Sequence, residues 1–388
     1  MNVLFEFLGK EPIENVITCM HYQVDKVVFF GYYDLILEKK KSTSDFLMKY
    51  CGVSKVVCHP MPQADLQSML TTMRREISYE IGKGNQIYFD LTGGESLILT
   101  AFGMLSKEFN MPIHHFDISK DKLMELEEGA KGSISADVAK RTKKMTLDEV
   151  VTMHGGVINY RLQKRLREAG SGETAEDIKR LWAVADRYDE LWNLFSGFLR
   201  EVLDAENDLS VNRSSGEVFR ALKERKTRLS VDGLNEMLDA LEQAGALLQL
   251  DYKNGQYRFQ YKNRFIKECL WDGGSILELV VYQEEKATAD DCRVGVHLDW
   301  DGEISFPQNA DVLNEIDVLV LRGNIPTFIS CKSGRLEGTR TLSALYELET
   351  VADRFGGKYA KKVLVITKPL SEAYVKRAKE MGIEIRNK

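Results

Sequence analysis

Asp317 and Lys332 are the residues of this chain best placed to do chemistry together. Asn314-Glu315-Ile316-Asp317 leads into the strand-like apolar run Val318–Leu321, and a second run, Ile325–Ile329, leads into Ser330-Cys331-Lys332. Arg322-Gly323-Asn324 forms a short turn between them. Two adjacent strands would bring an acid and a lysine to one edge of a sheet. That pair suits metal-assisted phosphodiester cleavage: the carboxylate holds a divalent cation, which polarises the phosphate and acidifies a bound water. The lysine offers a point charge to the attacking water or to the developing pentavalent phosphate. Glu315 lies two residues from Asp317, so in a regular strand both side chains face the same way. The plain alternative is a surface ion pair between Asp317 and Lys332.

A second cluster is Asp90-Leu91-Thr92-Gly93-Gly94-Glu95-Ser96. It closes an apparent strand, Gln86–Leu91, and opens an apparent helix, Glu95–Phe109. Glycines at a strand-to-helix turn let a ligand approach the backbone, and a helix N-terminus favours anionic oxygens. No lysine follows, so this is not a Walker loop, and the spacing is not GxGxxG. Tight turns need glycine in any case.

The elements that must position these clusters alternate over the first ~140 residues. Strand-like runs are Val3–Leu8, Lys26–Phe30, Lys55–Cys58, Gln86–Leu91 and Ile113–Ile118. Helix-like runs lie between them at Ile13–Tyr22, Asp45–Tyr50, Asp65–Ile81 and Glu95–Phe109. Such alternation predicts a parallel sheet covered on both faces, a Rossmann-like domain, with Lys120–Leu126 as a last antiparallel strand. Thr174–Leu203 has helical spacing and reads as a connector or dimer-forming helix. Glu217–Arg225 and Gly233–Ala244 are helical. Leu248–Tyr252 and Gln256–Tyr261 alternate around Lys253-Asn254-Gly255, a hairpin signal. Helix, helix, hairpin is a winged-helix pattern, but the second helix carries Glu236, Asp239 and Glu242 and no basic residue, which opposes DNA binding. Arg225, Lys226 and Arg228 just before it keep that reading open.

The last ~120 residues read as a helix (Arg264–Tyr282, interrupted at Gly273-Gly274), three strands, a helix (Ser343–Phe355), a strand, a helix (Glu372–Glu380) and a short strand. That αβββαβ order, with Asp on the second strand and Lys on the third, resembles the PD-(D/E)xK nuclease superfamily. The resemblance covers Arg264 to the end. It implies that Asp317 and Lys332 are catalytic and that Glu278, on the first helix, completes the site. One position departs from the pattern: Ser330 stands where an acid is expected. The backbone carbonyl of Cys331 is then a further metal ligand beside Asp317 and Glu278, and Glu278 and Glu315 are the candidates to supply the missing charge.

Taken over its whole length, the chain resembles the CRISPR-associated Rossmann-fold (CARF) nucleases of type III CRISPR systems. The resemblance implies an α/β protein in three parts: a CARF sensor (1–145), a helical linker with a winged-helix-like unit (146–262) and a PD-(D/E)xK nuclease domain (263–388). It implies a homodimer that binds a cyclic oligoadenylate, usually cyclic tetraadenylate, and cleaves single-stranded RNA or DNA with Mn²⁺ or Mg²⁺. The family's ligand-binding turns match Gly9–Asn15 and Thr92–Ser96, giving Gly9, Asn15, Thr92, Gly93, Gly94, Glu95 and Ser96 as activator contacts. Tyr32 is a candidate to stack on an adenine. Two rivals remain at this stage: a ligand-responsive transcription regulator with a degenerate nuclease domain, and a sensor that degrades its own activator.

Composition constrains the partners. The net charge of −6 over 388 residues means that a nucleic-acid site must be a local basic patch. Six cysteines without a CxxC pair read as reduced thiols in a cytoplasmic protein. His114-His115 falls in a strand, where neighbours face opposite ways, so a shared metal there is not expected. No apolar run approaches the ~20 residues of a membrane span, and no basic segment suggests a signal peptide.

Overall fold

In the computed structural model, residues 1–126, 132–162, 172–204, 209–225, 228–304 and 313–388 are described. Lys226 lies outside them. The alternating runs build β1 (Asn2–Phe7), α1 (Ile17–His21), β2 (Lys26–Tyr32), α2 (Tyr33–Tyr50), β3 (Lys55–Met61), α3 (Leu66–Gly82), β4 (Gln86–Asp90), α4 (Ser96–Phe109), β5 (Ile113–Asp117) and β6 (Lys122–Glu125). The sheet order is β3-β2-β1-β4-β5-β6, parallel except for β6. Both faces are dry. Leu4, Val27, Phe29 and Tyr88 pack with Phe46 and Leu47 of α2, and Val3, Phe5, Phe30 and Phe89 pack with Met73 of α3 and Phe102 of α4. Continuous apolar strands of this kind are what a doubly covered parallel sheet requires. α2 starts at Tyr33, well before the expected Asp45. Its first half buries only Leu35, while Glu38 and Lys39–Lys41 are partly or fully exposed, so the apolar period there is faint although the residues favour a helix.

Glu6 departs from this apolar pattern. It is 2% exposed in the middle strand, and neither carboxylate oxygen has a hydrogen-bond partner among the described residues. Burial, and then the charge of Asp90, push its carboxyl well above the ordinary range. A raised value costs nothing at low pH, where folded and unfolded chains are both protonated. The cost grows as pH rises above the ordinary glutamate value toward the folded one. Glu6→Gln is therefore expected to raise the melting temperature near pH 7–8, a gain of ~1–3 kcal/mol that fades toward pH 4. Melting curves of the two proteins across that range check it, and an equal shift at all pH values would show that Glu6 does not titrate as proposed.

Beyond this sheet come α5 (Ile134–Asp137), α6 (Leu147–Met153) and the two-residue β7 (Val157–Ile158), none of which the apolar spacing predicted. α6 opens with a capping box between Thr146 and Glu149, and its Leu147, Val150 and Val151 join the cores on either side. Next are α7 (Gly172–Arg187) and α8 (Asp189–Glu201). β8 (Ser210–Ser214), α9 (Ser215–Glu224), α10 (Val231–Gln243), β9 (Leu247–Asp251) and β10 (Gln256–Tyr261) follow, with the sheet order β8-β10-β9. Gly255 takes φ +71 in the hairpin turn. Leu234, Met237, Leu238 and Leu241 of α10 bury against Ile178 and Leu181 of α7 and Phe195 and Phe198 of α8.

The C-terminal part comprises α11 (Arg264–Trp271), α12 (Ser275–Lys286), β11 (Asp291–Asp299), β12 (Leu313–Arg322), β13 (Ile325–Lys332), α13 (Thr339–Gly356), β14 (Lys361–Ile366), α14 (Glu372–Glu380) and β15 (Ile383–Asn387). Its sheet runs β15-β14-β13-β12-β11-β7, with β13, β14 and β15 parallel and the other pairings antiparallel. Val318, Val320 and Ile329 pack with Leu277 and Val281 of α12. Leu319, Phe328 and Leu364 pack with Leu345, Leu348 and Phe355 of α13. At the Gly273-Gly274 break the backbone passes close to α8: a Cβ at Gly273 would collide with the Asn193 side chain.

Candidate functional site

The pairing of β12 with β13 sets Val318 opposite Ile329 and so brings Asp317 beside Ser330. Ser330 Oγ donates to Asp317 Oδ2 at 3.1 Å, and the Cys331 backbone N–H donates to the same oxygen at 2.5 Å. Lys332 Nζ lies 3.6 Å from it. β11 places Gly295, φ +58, opposite Asp317, between the pairs Val294–Val318 and Val296–Ile316. Asp317, Ser330 and Lys332 wall a crevice of about 90 Å³ with Glu315, Ile316, Glu347, Leu348 and Val351. β12 and β13 form its floor, and α13 supplies Glu347, Leu348 and Val351.

Electrostatics tie Glu278, on α12, to the same place. Burial, then Asp317, Asp272 and Glu315, push its carboxyl up to about 9, and Lys332 only partly offsets them. Burial and the neighbouring carboxylates thus favour the protonated form of Glu278 when no cation is bound. Burial works against the charge on Lys332, but Asp317, Glu347 and Glu278 outweigh it, and its ammonium is held above the usual value. The Cys331 thiol is buried and pushed well up, so it is no nucleophile.

Ser330 does not leave a hole where an acid is expected; its hydroxyl orients Asp317. Cys331 turns its N–H toward Asp317. Glu315 is exposed, with His297 Nε2 at 3.9 Å. Glu347 went unnoticed in the sequence because it lies on an ordinary amphipathic helix. Glu347 is itself exposed and reaches the crevice from the edge of the face that carries Leu348 and Val351, a place with no distinct mark in the sequence. Among the described residues, no three His, Cys, Asp or Glu side chains close on one point as a metal cage would. The donor set nevertheless fits a hard divalent cation: it is all oxygen, and a cation would favour the charged form of the Glu278 carboxyl against burial and against Asp317, Asp272 and Glu315.

The second cluster is more structural than expected at several positions. Asn15 is 1% exposed; its amide accepts from Gly9 N–H at 2.8 Å and donates to Gly9 O at 3.0 Å, so both of its polar atoms brace the turn rather than face a ligand. Thr92 is buried too. Its N–H donates to Asp90 Oδ1 at 2.7 Å, its hydroxyl donates to the same carboxylate, and Phe116 N–H donates to its oxygen at 2.8 Å. That leaves Gly93, Gly94, Glu95 and Ser96 nearest the surface, at the start of α4. The left-handed φ belongs to Gly94 (+144), not Gly93. His114 is buried against Asp90 and Thr18, and His115 Nδ1 lies 3.2 Å from Leu91 O; they do not share a site. Tyr32 packs edge-on against Phe7.

Residues 261–387 match the family model of the Card1-like endonuclease domain. The whole chain has the fold of protein VC1899 from Vibrio cholerae, with TM-score 0.71, 18% identity, and coverage of 100% of this chain and 94% of that one. It is also similar to Can2 from Sulfobacillus thermosulfidooxidans, solved in complex with cyclic tetra-adenylate. There the TM-score is 0.67 at 15% identity, covering 99% of this chain and 93% of that one. No curated protein matches the sequence. Among the described residues no helix is long and apolar enough to cross a membrane.

Proposed function

We propose that this chain, which ends in a Card1-like endonuclease domain, is a nuclease switched on by a cyclic oligoadenylate, cyclic tetraadenylate before others, and acts in CRISPR antiviral defence. The observation that carries the reading is Asp317 beside Lys332 in one crevice inside the matched domain, with the Glu278 carboxyl of α12 electrostatically coupled to both. Can2, which shares the fold over nearly the whole chain, holds cyclic tetra-adenylate, and this supports the choice of activator class. The layout is a CARF sensor in 1–145, a linker with a winged unit in 146–262 and the nuclease in 263–388. The protein works as a cytoplasmic homodimer on single-stranded RNA or DNA.

Asp317 and Glu278, with the Cys331 carbonyl, would hold Mn²⁺ or Mg²⁺, which supplies Lewis-acid polarisation of the phosphate and a more acidic water. The chain's own groups do the rest. Ser330 Oγ and the Cys331 N–H fix Asp317 through Oδ2, so Oδ1 is the oxygen it offers outward. Lys332 stays charged and meets the negative charge that builds on the phosphoryl oxygens. A held-on proton disqualifies it as a general base at neutral pH.

The winged unit supports this reading over a transcription regulator. Asp239 of α10 accepts from the Tyr252 hydroxyl at 2.9 Å, and Glu242 accepts from Leu250 N–H at 2.9 Å. Two acids of α10 thus serve the unit's own hairpin, and the helix brings no cation to a phosphate backbone.

The test is incubation of pure protein with labelled single-stranded RNA and DNA, Mn²⁺ or Mg²⁺, and a panel of cyclic oligoadenylates. Cleavage that needs both metal and activator is expected. Cleavage indifferent to every activator, or loss of the activator with the strands intact, overturns the reading.

A further inference from the structure

One short segment of the N-terminal sheet domain reaches the C-terminal domain through two carboxylates. Glu11 precedes the 3-10 turn Pro12–Asn15 that follows β1. Its Oε2 accepts from the Lys358 backbone N–H at 3.0 Å, and its Oε1 lies 3.3 Å from His154 Nε2. Glu14 pairs with Lys358 Nζ at 2.5 Å and accepts from the Tyr359 hydroxyl at 2.8 Å. The approach is close enough to require glycine: Gly357 takes φ +64, and a Cβ there would collide with Glu11 and stand 2.8 Å from His154 Nε2. Gly357 caps α13, and α13 is the helix whose Glu347, Leu348 and Val351 wall the crevice. From Val351 to Gly357 is six residues, about 9 Å of helix.

The same Glu14 covers the glycine turn before α4. A Cβ built on Gly93 would stand 2.9 Å from both Glu14 Cβ and Glu14 Oε2. One carboxylate therefore lies against the glycine turn and also holds Lys358 and Tyr359, just beyond the C-terminal end of α13.

We propose that Glu11 and Glu14 form a latch that holds the C-terminal end of α13, and that an activator phosphate at the Gly93 turn competes with Glu14 and opens it. This rests on the activator reading above and adds its mechanism. Two anionic groups cannot share the face of Gly93, since like charges at contact distance repel strongly where water is partly excluded. When Glu14 gives way, the Lys358 ammonium and the Tyr359 hydroxyl lose their acceptor, and Glu11 alone is left on the Lys358 N–H. α13 is then free to shift Glu347, Leu348 and Val351 against Asp317 and Lys332. A ligand can drive such a change because it binds the open arrangement better than the latched one.

Glu14→Gln removes the charge and keeps the size; Lys358→Gln breaks the same pair from the other side. Both are compared with wild type by three readouts: calorimetric titration with cyclic tetraadenylate, amide hydrogen exchange over Gly357–Ala360, and cleavage without activator. Either variant is expected to speed exchange over Gly357–Ala360, least at the Lys358 N–H that Glu11 still accepts, and to raise the activator-free rate roughly tenfold, within the ordinary range of coupling between sites. Activator added to wild type should speed the same exchange. Binding with unchanged exchange overturns the latch alone. Faster exchange without cleavage keeps the latch and overturns the nuclease. No binding overturns both.

Discussion

Lys332→Ala is expected to lose ~10²–10³ in cleavage rate while cyclic tetraadenylate binds as before. The lysine reaches the crevice from the last residue of β13, and its charge is held above the usual value by Asp317, Glu347 and Glu278 against the cost of burial. A group so held cannot accept the proton of an attacking water at neutral pH. Its contribution is electrostatic, made where negative charge develops. Truncation also removes a cation that offsets the acids around Glu278, so the Glu278 carboxyl should rise further and a higher metal concentration should be needed. The fold should survive, because a third of the Lys332 side chain is already exposed and the strand is anchored by Phe328 and Ile329. Single-turnover cleavage and calorimetry on the same preparation decide the matter. A wild-type rate removes Lys332 from the mechanism, and lost activator binding shows that the mutation has damaged more than the crevice.

Much of the scaffold was legible because its patterns are local. β1, β2 and β4 are nearly unbroken apolar runs, α14 keeps its predicted bounds Glu372–Glu380, and the Asn254-Gly255 turn announces its hairpin. What escaped was set by tertiary contact. β7 is only two residues long and exists because it pairs with β11, and α6 is held by neighbours from two sheets. Asp317 and Lys332 stood out because each sits at the end of a strand-like run. Glu347 did not, since an acid on an amphipathic helix carries no signal until the helix is packed. Ser330 shows the converse limit: read against a motif it is a missing ligand, whereas across the strand pair its hydroxyl serves Asp317. The latch was invisible for the same reason as β7, because nothing in sequence joins Glu11 and Glu14 to residues almost 350 positions away.

Gly93→Val should uncouple the sensor from the nuclease altogether. The obstacle is steric, not conformational, for the left-handed residue of this turn is Gly94. A Cβ at position 93 would stand 2.9 Å from Glu14 Cβ, an atom fixed by its backbone that cannot swing aside as a side-chain tip can. The turn and Glu14 must therefore part, and the branched valine fills the space an activator phosphate would take. Two consequences follow, of opposite sign. Binding of cyclic tetraadenylate is lost, so the response to activator disappears. The contact of Glu14 with Lys358 and Tyr359 is disturbed as well, so the unstimulated rate rises above that of wild type instead of falling to zero. A valine that merely blocked the ligand would leave the resting rate where it was. Coupling is reciprocal, so wild type should bind activator more tightly when a non-cleavable strand is present, and Gly93→Val should show no activator binding with or without it. Calorimetry and unstimulated cleavage on this one variant separate the outcomes. Undiminished binding moves the activator site away from the glycine turn, and lost binding with an unchanged resting rate leaves the turn as the site but removes Glu14 from the path to α13.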